Sequence, residues 1–280
     1  MTTVSVLGSG IMATALAFPL SDNGHEVRLI GTHLDREIID SIKETGVHPG
    51  LDLEVPSTVG AFQLDEAEEA FDGSDVILSG VNSFGVRWAG GHLAKLLKPG
   101  MHVLSIAKGM EAAQNGDLRI LPEVLAAEVP GGLREQVSWS AIAGPSIAGE
   151  VAVRRDTCVV FTGRDAGVLE EMAGLFRTPY YHVWTSTDFV GVEVCAAAKN
   201  CYALGAGFME GILDREGESE APYRNYDYGA ALFGQATREL GRFMKLLGGE
   251  RETPFGLDEP LDMPWNTFSG GEPESKAGKG

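Results

Sequence analysis

"VSVLGSGIMATALAFPLSDNG", residues 4–24, decides the fold. An apolar run from Val4 to Leu7 stops at a glycine, and the alanines and leucines after it suit a helix that ends at Asn23-Gly24. Between strand and helix, Gly8-Ser9-Gly10-Ile11-Met12-Ala13 forms a G-x-G-x-x-A turn. Such glycines let the backbone turn tightly and approach a pyrophosphate, whose charge meets amide groups at the start of a helix. The position of the turn, between a first strand and a first helix, favours a dinucleotide site over a merely structural turn.

The pattern continues outward from there. "EVRLIG" reads as a second strand, "DREIIDSIKETG" as a helix, "DVILSGV" as a buried strand and "HLAKLLKPG" as a helix end. "MHVLSIAKG" and "VSWSAIAGP" read as further strands, with helical sequence between them in "RILPEVLAAEV". "DTCVVFTG", "VLEEMAGLFR" and "YYHVW" extend the alternation to about residue 185. This alternation predicts a parallel sheet covered on both faces. From Asp188 to Gly248 nearly everything reads as helix, broken by the charged loop "DREGESEAPYRNYD". The last ten residues are expected to be mobile. The expected fold is α/β: a Rossmann-type, mainly parallel sheet in a dinucleotide-binding domain over 1–187, then an all-helical substrate domain over 188–280.

Lys plus Arg number 22 and Asp plus Glu 40, a formal charge of −18, which argues against nucleic acid or an anionic membrane as partner. No apolar stretch reaches membrane-spanning length without a charge or a glycine, and the start lacks the basic region of a signal peptide. A cytoplasmic enzyme is expected. Cys158, Cys195 and Cys201 are too few for a disulfide framework and match no metal-site spacing, so no metal is expected.

Ligands of such sheets sit beyond the carboxyl ends of the strands. Three further segments should converge there: Val81-Asn82-Ser83-Phe84, Lys108-Gly109 and Gly144-Pro145-Ser146-Ile147-Ala148. Lys108 either reaches solvent or meets a phosphate or a carbonyl. No acid ends the second strand to hold ribose hydroxyls; Gly31-Thr32-His33 stands there, with Arg36 close behind, so both NAD and NADP remain open. Lys199 lies in "EVCAAAKNCYALGAGFMEG", a run that reads as a helix packed on nearly all sides. Lysine is almost never buried without a partner. Either its ammonium reaches water along an apolar stem, or the helix lines a cavity where the charge meets a ligand. Near a nicotinamide it would stabilise developing oxygen charge and transfer a proton.

Taken in order, Gly8-x-Gly10-x-x-Ala13-Thr14-Ala15-Leu16-Ala17, "NGHEV", Lys108-Gly109, "GPSIAGE" and "AAAKNCYALGAG" resemble NAD(P)-dependent glycerol-3-phosphate dehydrogenase, over residues 2 to about 257. The resemblance implies reversible reduction of dihydroxyacetone phosphate to sn-glycerol 3-phosphate, a precursor of membrane lipids, with NAD or NADP as cofactor. It assigns the cofactor to Gly8, Gly10, Ile11, Met12, Ala13, Thr32, Lys108 and Ala148, and the triose phosphate to Lys108, Gly144, Ser146 and Asn200. Lys199 is implied as proton donor and acceptor, oriented by Asp262, and a homodimer is open. In the family an Arg-Asn pair follows two glycines and clamps the phosphate; here Gly270-Gly271 is followed by Glu272-Pro273. That departure, with a helical domain shorter than the family's, keeps two alternatives: a catalytically degraded or truncated nucleotide-binding homologue, and a related β-hydroxyacid or ketopantoate-type reductase. "GPSIAGE" argues against the reductase.

Overall fold

The computed structural model describes residues 1–113, 115–217 and 226–255. Asp262, Gly270-Gly271, Glu272-Pro273, the last ten residues and the centre of the 214–227 loop lie outside these. In chain order the strands are β1 (Thr3–Leu7), β2 (Glu26–Ile30), β3 (Val47–His48), β4 (Leu53–Glu54), β5 (Val59–Phe62), β6 (Val76–Ser79), β7 (His102–Ser105), β8 (Met110–Ala112), β9 (Leu118–Ile120), β10 (Ser138–Ala143), β11 (Thr157–Gly163) and β12 (Tyr181–Ser186). The helices are α1 (Ile11–Ala15), α2 (Ala17–Asp22), α3 (Arg36–Thr45), α4 (Ala67–Phe71), α5 (Val86–Leu96), α6 (Leu121–Ala127), α7 (Gly131–Arg134), α8 (Ala148–Ala152), α9 (Ala166–Phe176), α10 (Phe189–Glu216) and α11 (Tyr226–Leu247).

Successive side chains of a strand point to opposite faces. Val4 and Val6 of β1, with Val76 and Leu78 of β6, join one apolar cluster, while Leu7 and Ile77 join another. Both faces are therefore covered; Ser5, which alternates with Val4 and Val6 in β1, is itself buried, its hydroxyl donating to the Ala70 carbonyl at 2.6 Å. Among the described residues, eight strands form one sheet in the order β12-β11-β10-β7-β6-β1-β2-β5. The pairs β1–β2, β1–β6, β6–β7, β7–β10, β2–β5 and β11–β12 are parallel. Register aligns Leu7 with Ile30 on one side and Ser79 on the other, and Ser79 with Ser105. The loops after β1, β2, β6 and β7 thus leave the sheet along one line, and the strand order reverses between β1 and β6.

Several local expectations need correction. The helix expected across residues 11–22 is two, broken at Leu16. Pro19 has no N–H to donate to the Ala15 carbonyl, so the ladder cannot run through. Arg119 and Ile120, expected to be helical, pair in β9 against β8, and the helix starts at Leu121 with Pro122 in its first turn. The β3–β4 hairpin and β5 are not foreshadowed by any sequence pattern; β5, "VGAF", is short and holds a glycine, yet it extends the sheet beyond β2.

The chain divides into two compact units: residues 1–142 with 146–189, and 143–145 with 190–280. In the second, α11 buries Ala236, Leu240 and Met244 at four-residue steps. Tyr202 of α10 donates to the Glu239 carboxylate of α11 at 2.8 Å. Burial and that bond push the Tyr202 phenol up to about 12. No described helix is long and apolar enough to cross a membrane, and no described cluster of His, Cys, Asp and Glu suits a metal ion.

Candidate active site

In the first unit the glycine turn follows β1 at the point where the strand order reverses, beside the loop after β6. Gly8 has φ +110°, a conformation side chains rarely adopt, and a Cβ there would lie 2.9 Å from the Gly80 carbonyl carbon. Gly80, the residue after β6, is held as tightly: its Cβ would meet that of Ala13 at 2.5 Å. Gly8, Gly80 and Ala13 thus pack helix α1 onto β1 and β6, the close helix–strand approach that the third position of such turns serves. Gly80→Ala is expected to destabilise by about 1–3 kcal/mol through overpacking. A lowered urea midpoint at unchanged slope would report this; a variant as stable as the parent would mean that α1 can retreat from β6.

Gly10 is different. Its φ is −64° and a Cβ there would meet nothing within 4 Å. The fold does not require a glycine at this position, but a ligand that must reach the backbone does. The turn therefore fits a dinucleotide's phosphates.

After β2, Thr32 is buried in a tight turn, its Oγ1 accepting from the Leu34 N–H at 3.2 Å. His33 packs at a tilt against Trp88 of α5 with ring centroids 5.1 Å apart, and Trp88 at a tilt against His92 at 4.1 Å. No acid ends β2, as the sequence shows, but Asp35 stands a few residues beyond it. Asp35 accepts at one oxygen from the Thr32 N–H at 2.9 Å and the Ser9 N–H at 3.2 Å. By position it would cap α3, but its side chain makes no cap bond. Arg36, at 4.0 Å from Asp65, is held loosely at the surface.

The loop after β10 returns to the turn. Ser146 Oγ donates to Met12 Sδ at 3.9 Å, and Ala148 opens α8, which packs on α1. Arg154, just beyond α8, holds Asp22 at the end of α2 with bonds of 2.7 and 2.8 Å, and its guanidinium keeps that carboxyl below the usual range. This clip secures α8 against the α1–α2 pair. Ile11 stays half exposed at the turn, and Lys108 is half-buried three residues past the end of β7, in a loop where the sequence suggested strand.

The second unit contains Gly144, at φ +103°, together with α10. Lys199 lies in the buried stripe of α10 with Val192, Cys195, Ala196, Ala203 and Ala206, and is 6% exposed. Of the two roles open to it from the sequence, an ammonium reaching water along its stem does not describe a residue this deep. Glu193, on the same helix, is fully buried as well, a second charge to which the reasoning that singled out Lys199 applies equally. Asn200, the next residue, is half exposed.

A doubly wound sheet whose glycine turn sits at the reversal of strand order, joined to a helical unit with a buried lysine, defines the class of nicotinamide-dinucleotide oxidoreductases. The sequence profile of the NAD-dependent glycerol-3-phosphate dehydrogenase N-terminus matches residues 3–168, and that of its C-terminus matches 188–270. The chain belongs to the NAD-dependent glycerol-3-phosphate dehydrogenase family. It is 34% identical over 268 residues to the NADP(+)-dependent glycerol-3-phosphate dehydrogenase of Archaeoglobus fulgidus, covering 96% of this chain and 76% of that relative. A glycerol-3-phosphate dehydrogenase (NAD(P)+) of Clostridium botulinum is 31% identical over 282 residues, covering 99% and 78%. Among solved structures, glycerol-3-phosphate dehydrogenase from Coxiella burnetii aligns at a TM-score of 0.80 and 26% identity, over all of this chain and 81% of that one.

Proposed function

We propose that this chain catalyses the reversible NAD(P)H-dependent reduction of dihydroxyacetone phosphate to sn-glycerol 3-phosphate, which supplies a lipid precursor. The observation that carries the reading is Lys199, a cation in a buried stripe of small side chains, within a family whose cofactor turn this chain keeps. Bound NAD(P)H supplies the hydride. Lys199 gives a proton to the substrate's carbonyl oxygen and takes it back in reverse; its charge, shielded from water, acts more strongly on developing oxyanion character than it would in solution. Lys108, Gly144, Ser146 and Asn200 hold the triose phosphate, and the resemblance gives Asp262, outside the described residues, the part of the acid that orients the lysine. Gly8, Gly10, Ile11, Met12, Ala13, Thr32 and Ala148 form the cofactor side, with Lys108 between the two ligands. A homodimer in the cytoplasm belongs to the same reading.

The reverse direction tests it. With NAD+ or NADP+, sn-glycerol 3-phosphate should be oxidised and its enantiomer should not; turnover of a β-hydroxyacid or of pantoate in its place would overturn the reading.

Both cofactors are expected to bind within about a hundredfold of each other, under about 3 kcal/mol. Asp35 spends its carboxylate on two backbone amides, and Thr32, His33 and Arg36 offer hydroxyl, imidazole and guanidinium where a 2′-phosphate would lie. Fluorescence titration with NADH and NADPH measures the ratio. A preference for NADH far beyond a hundredfold would show that Asp35 still repels the phosphate.

A further inference from the structure

We propose that His48 is a positioning residue for the cofactor: together with Asp35 it sets the orientation of the Ser9–Gly10 peptide at which a dinucleotide phosphate docks. The proposal rests on the reading of Gly8–Ala13 as the cofactor turn.

Ser9 is fully buried and its backbone is held on both sides by side chains from elsewhere in the chain. Its N–H donates to Asp35 at 3.2 Å. Its carbonyl accepts from His48 Nε2 at 2.9 Å and from Thr14 Oγ1 at 3.3 Å. His48, on the two-residue strand β3, is itself fully buried. Its Nδ1 faces the N–H groups of Gly50 and Leu51, each at 3.1 Å. Two donors aimed at Nδ1 require that nitrogen to be the acceptor, so the ring proton sits on Nε2 and points at the Ser9 carbonyl. The ring has one tautomer and no spare bonding capacity.

The consequence reaches the ligand through peptide geometry. The Ser9–Gly10 peptide is planar and trans, so its carbonyl and the Gly10 N–H point in opposite directions. Drawing the carbonyl toward His48 turns the Gly10 N–H to the other side. Gly10 is also the position where the structure leaves room for a Cβ that the fold does not exclude. An amide fixed in advance binds an anion without the cost of ordering it. The 48–51 turn lies against the same residues, since a Cβ on Gly50 would come 3.2 Å from the Ile11 side chain. The alternative is that His48 only braces its own turn through Nδ1.

The two roles use different nitrogens, and two substitutions separate them. His48→Gln keeps an N–H donor near the place of Nε2, whereas His48→Asn keeps an acceptor near Nδ1 and cannot reach Ser9. Both should lower the thermal midpoint of the protein without ligand. Titrated without substrate, His48→Asn should weaken NADH and NADPH alike by about tenfold, and His48→Gln by less than threefold. The kcat at saturating cofactor should stay within twofold of the parent for both. Asp35→Ala, at a half-buried position that should not endanger folding, loses the other hold on Ser9 and should weaken NADH about fivefold, with Asp35→Asn restoring most of it. Equal affinities in His48→Gln and His48→Asn, or an Asp35→Ala that binds like the parent, would overturn the proposal. Should the parent bind neither cofactor, or Gly10→Ala bind as well as the parent, the cofactor reading fails first and takes the proposal with it.

Discussion

Lys199→Ala should retain the fold and bind NADH and NADPH with unchanged affinity while kcat falls by about 10²- to 10⁴-fold, the range that general acid catalysis contributes. The separation follows from where the residue stands. Lys199 is on α10 in the helical unit, whereas the glycine turn belongs entirely to the sheet unit. In the proposed reaction the Lys199 proton goes to the substrate oxygen, so the expected loss belongs to chemistry and not to cofactor affinity. Removing a buried charge also disturbs whatever it balances, and this can cost stability. Lys199→Met keeps the apolar stem in the stripe with Ala196 and Ala203 and serves as the control for folding. Both variants should be equally slow. Brisk turnover by Lys199→Met would leave Lys199 a packing residue and the reaction without its proton donor.

Gly10→Ala should show the opposite profile. The position is open around the missing Cβ and its φ of −64° suits any residue, so stability should change by no more than about 1 kcal/mol. A methyl group there keeps a phosphate off the backbone. One charge-assisted hydrogen bond is worth about 1.5–3 kcal/mol, so the cofactor dissociation constant should rise about ten- to a hundredfold. The contrast with Gly80→Ala is the informative part, because Gly80 meets Ala13 at 2.5 Å and its replacement strains the fold itself. If Gly10→Ala proves unstable and binds normally, the glycine is structural and the turn is not the phosphate site.

The parts legible in the sequence are those with a local cause. The turn after β1 announces itself because Gly-x-Gly between a buried strand and an alanine-rich helix has few other uses. The four-residue steps of Ala236, Leu240 and Met244 identify α11 because a helix facing a core must repeat that way. Lys199 is conspicuous because a charge among alanines demands explanation. What stayed hidden depends on distant pairing. Nothing in "VGAF" marks it as a strand until β2 stands beside it. Asp35 only opens the helical stretch "DREIIDSIKETG" in the sequence, yet the fold brings the Ser9 amide to its carboxylate from 26 residues away. His48 lies in a stretch with no periodicity, and its link to Ser9 spans 39 residues. Gly80 was within reach of sequence reasoning: a glycine ending the strand beside β1 has the glycine turn as its neighbour.

Whether the chain reduces dihydroxyacetone phosphate is decided most directly by the initial rate of NADH and NADPH oxidation as that substrate is titrated into the unaltered chain, with the product identified stereochemically. The expected result is saturable oxidation that depends on dihydroxyacetone phosphate and yields one equivalent of sn-glycerol 3-phosphate for each cofactor oxidised. Cofactor that binds but is not oxidised at any concentration of dihydroxyacetone phosphate would contradict the proposed function and leave a nucleotide-binding protein without this catalysis.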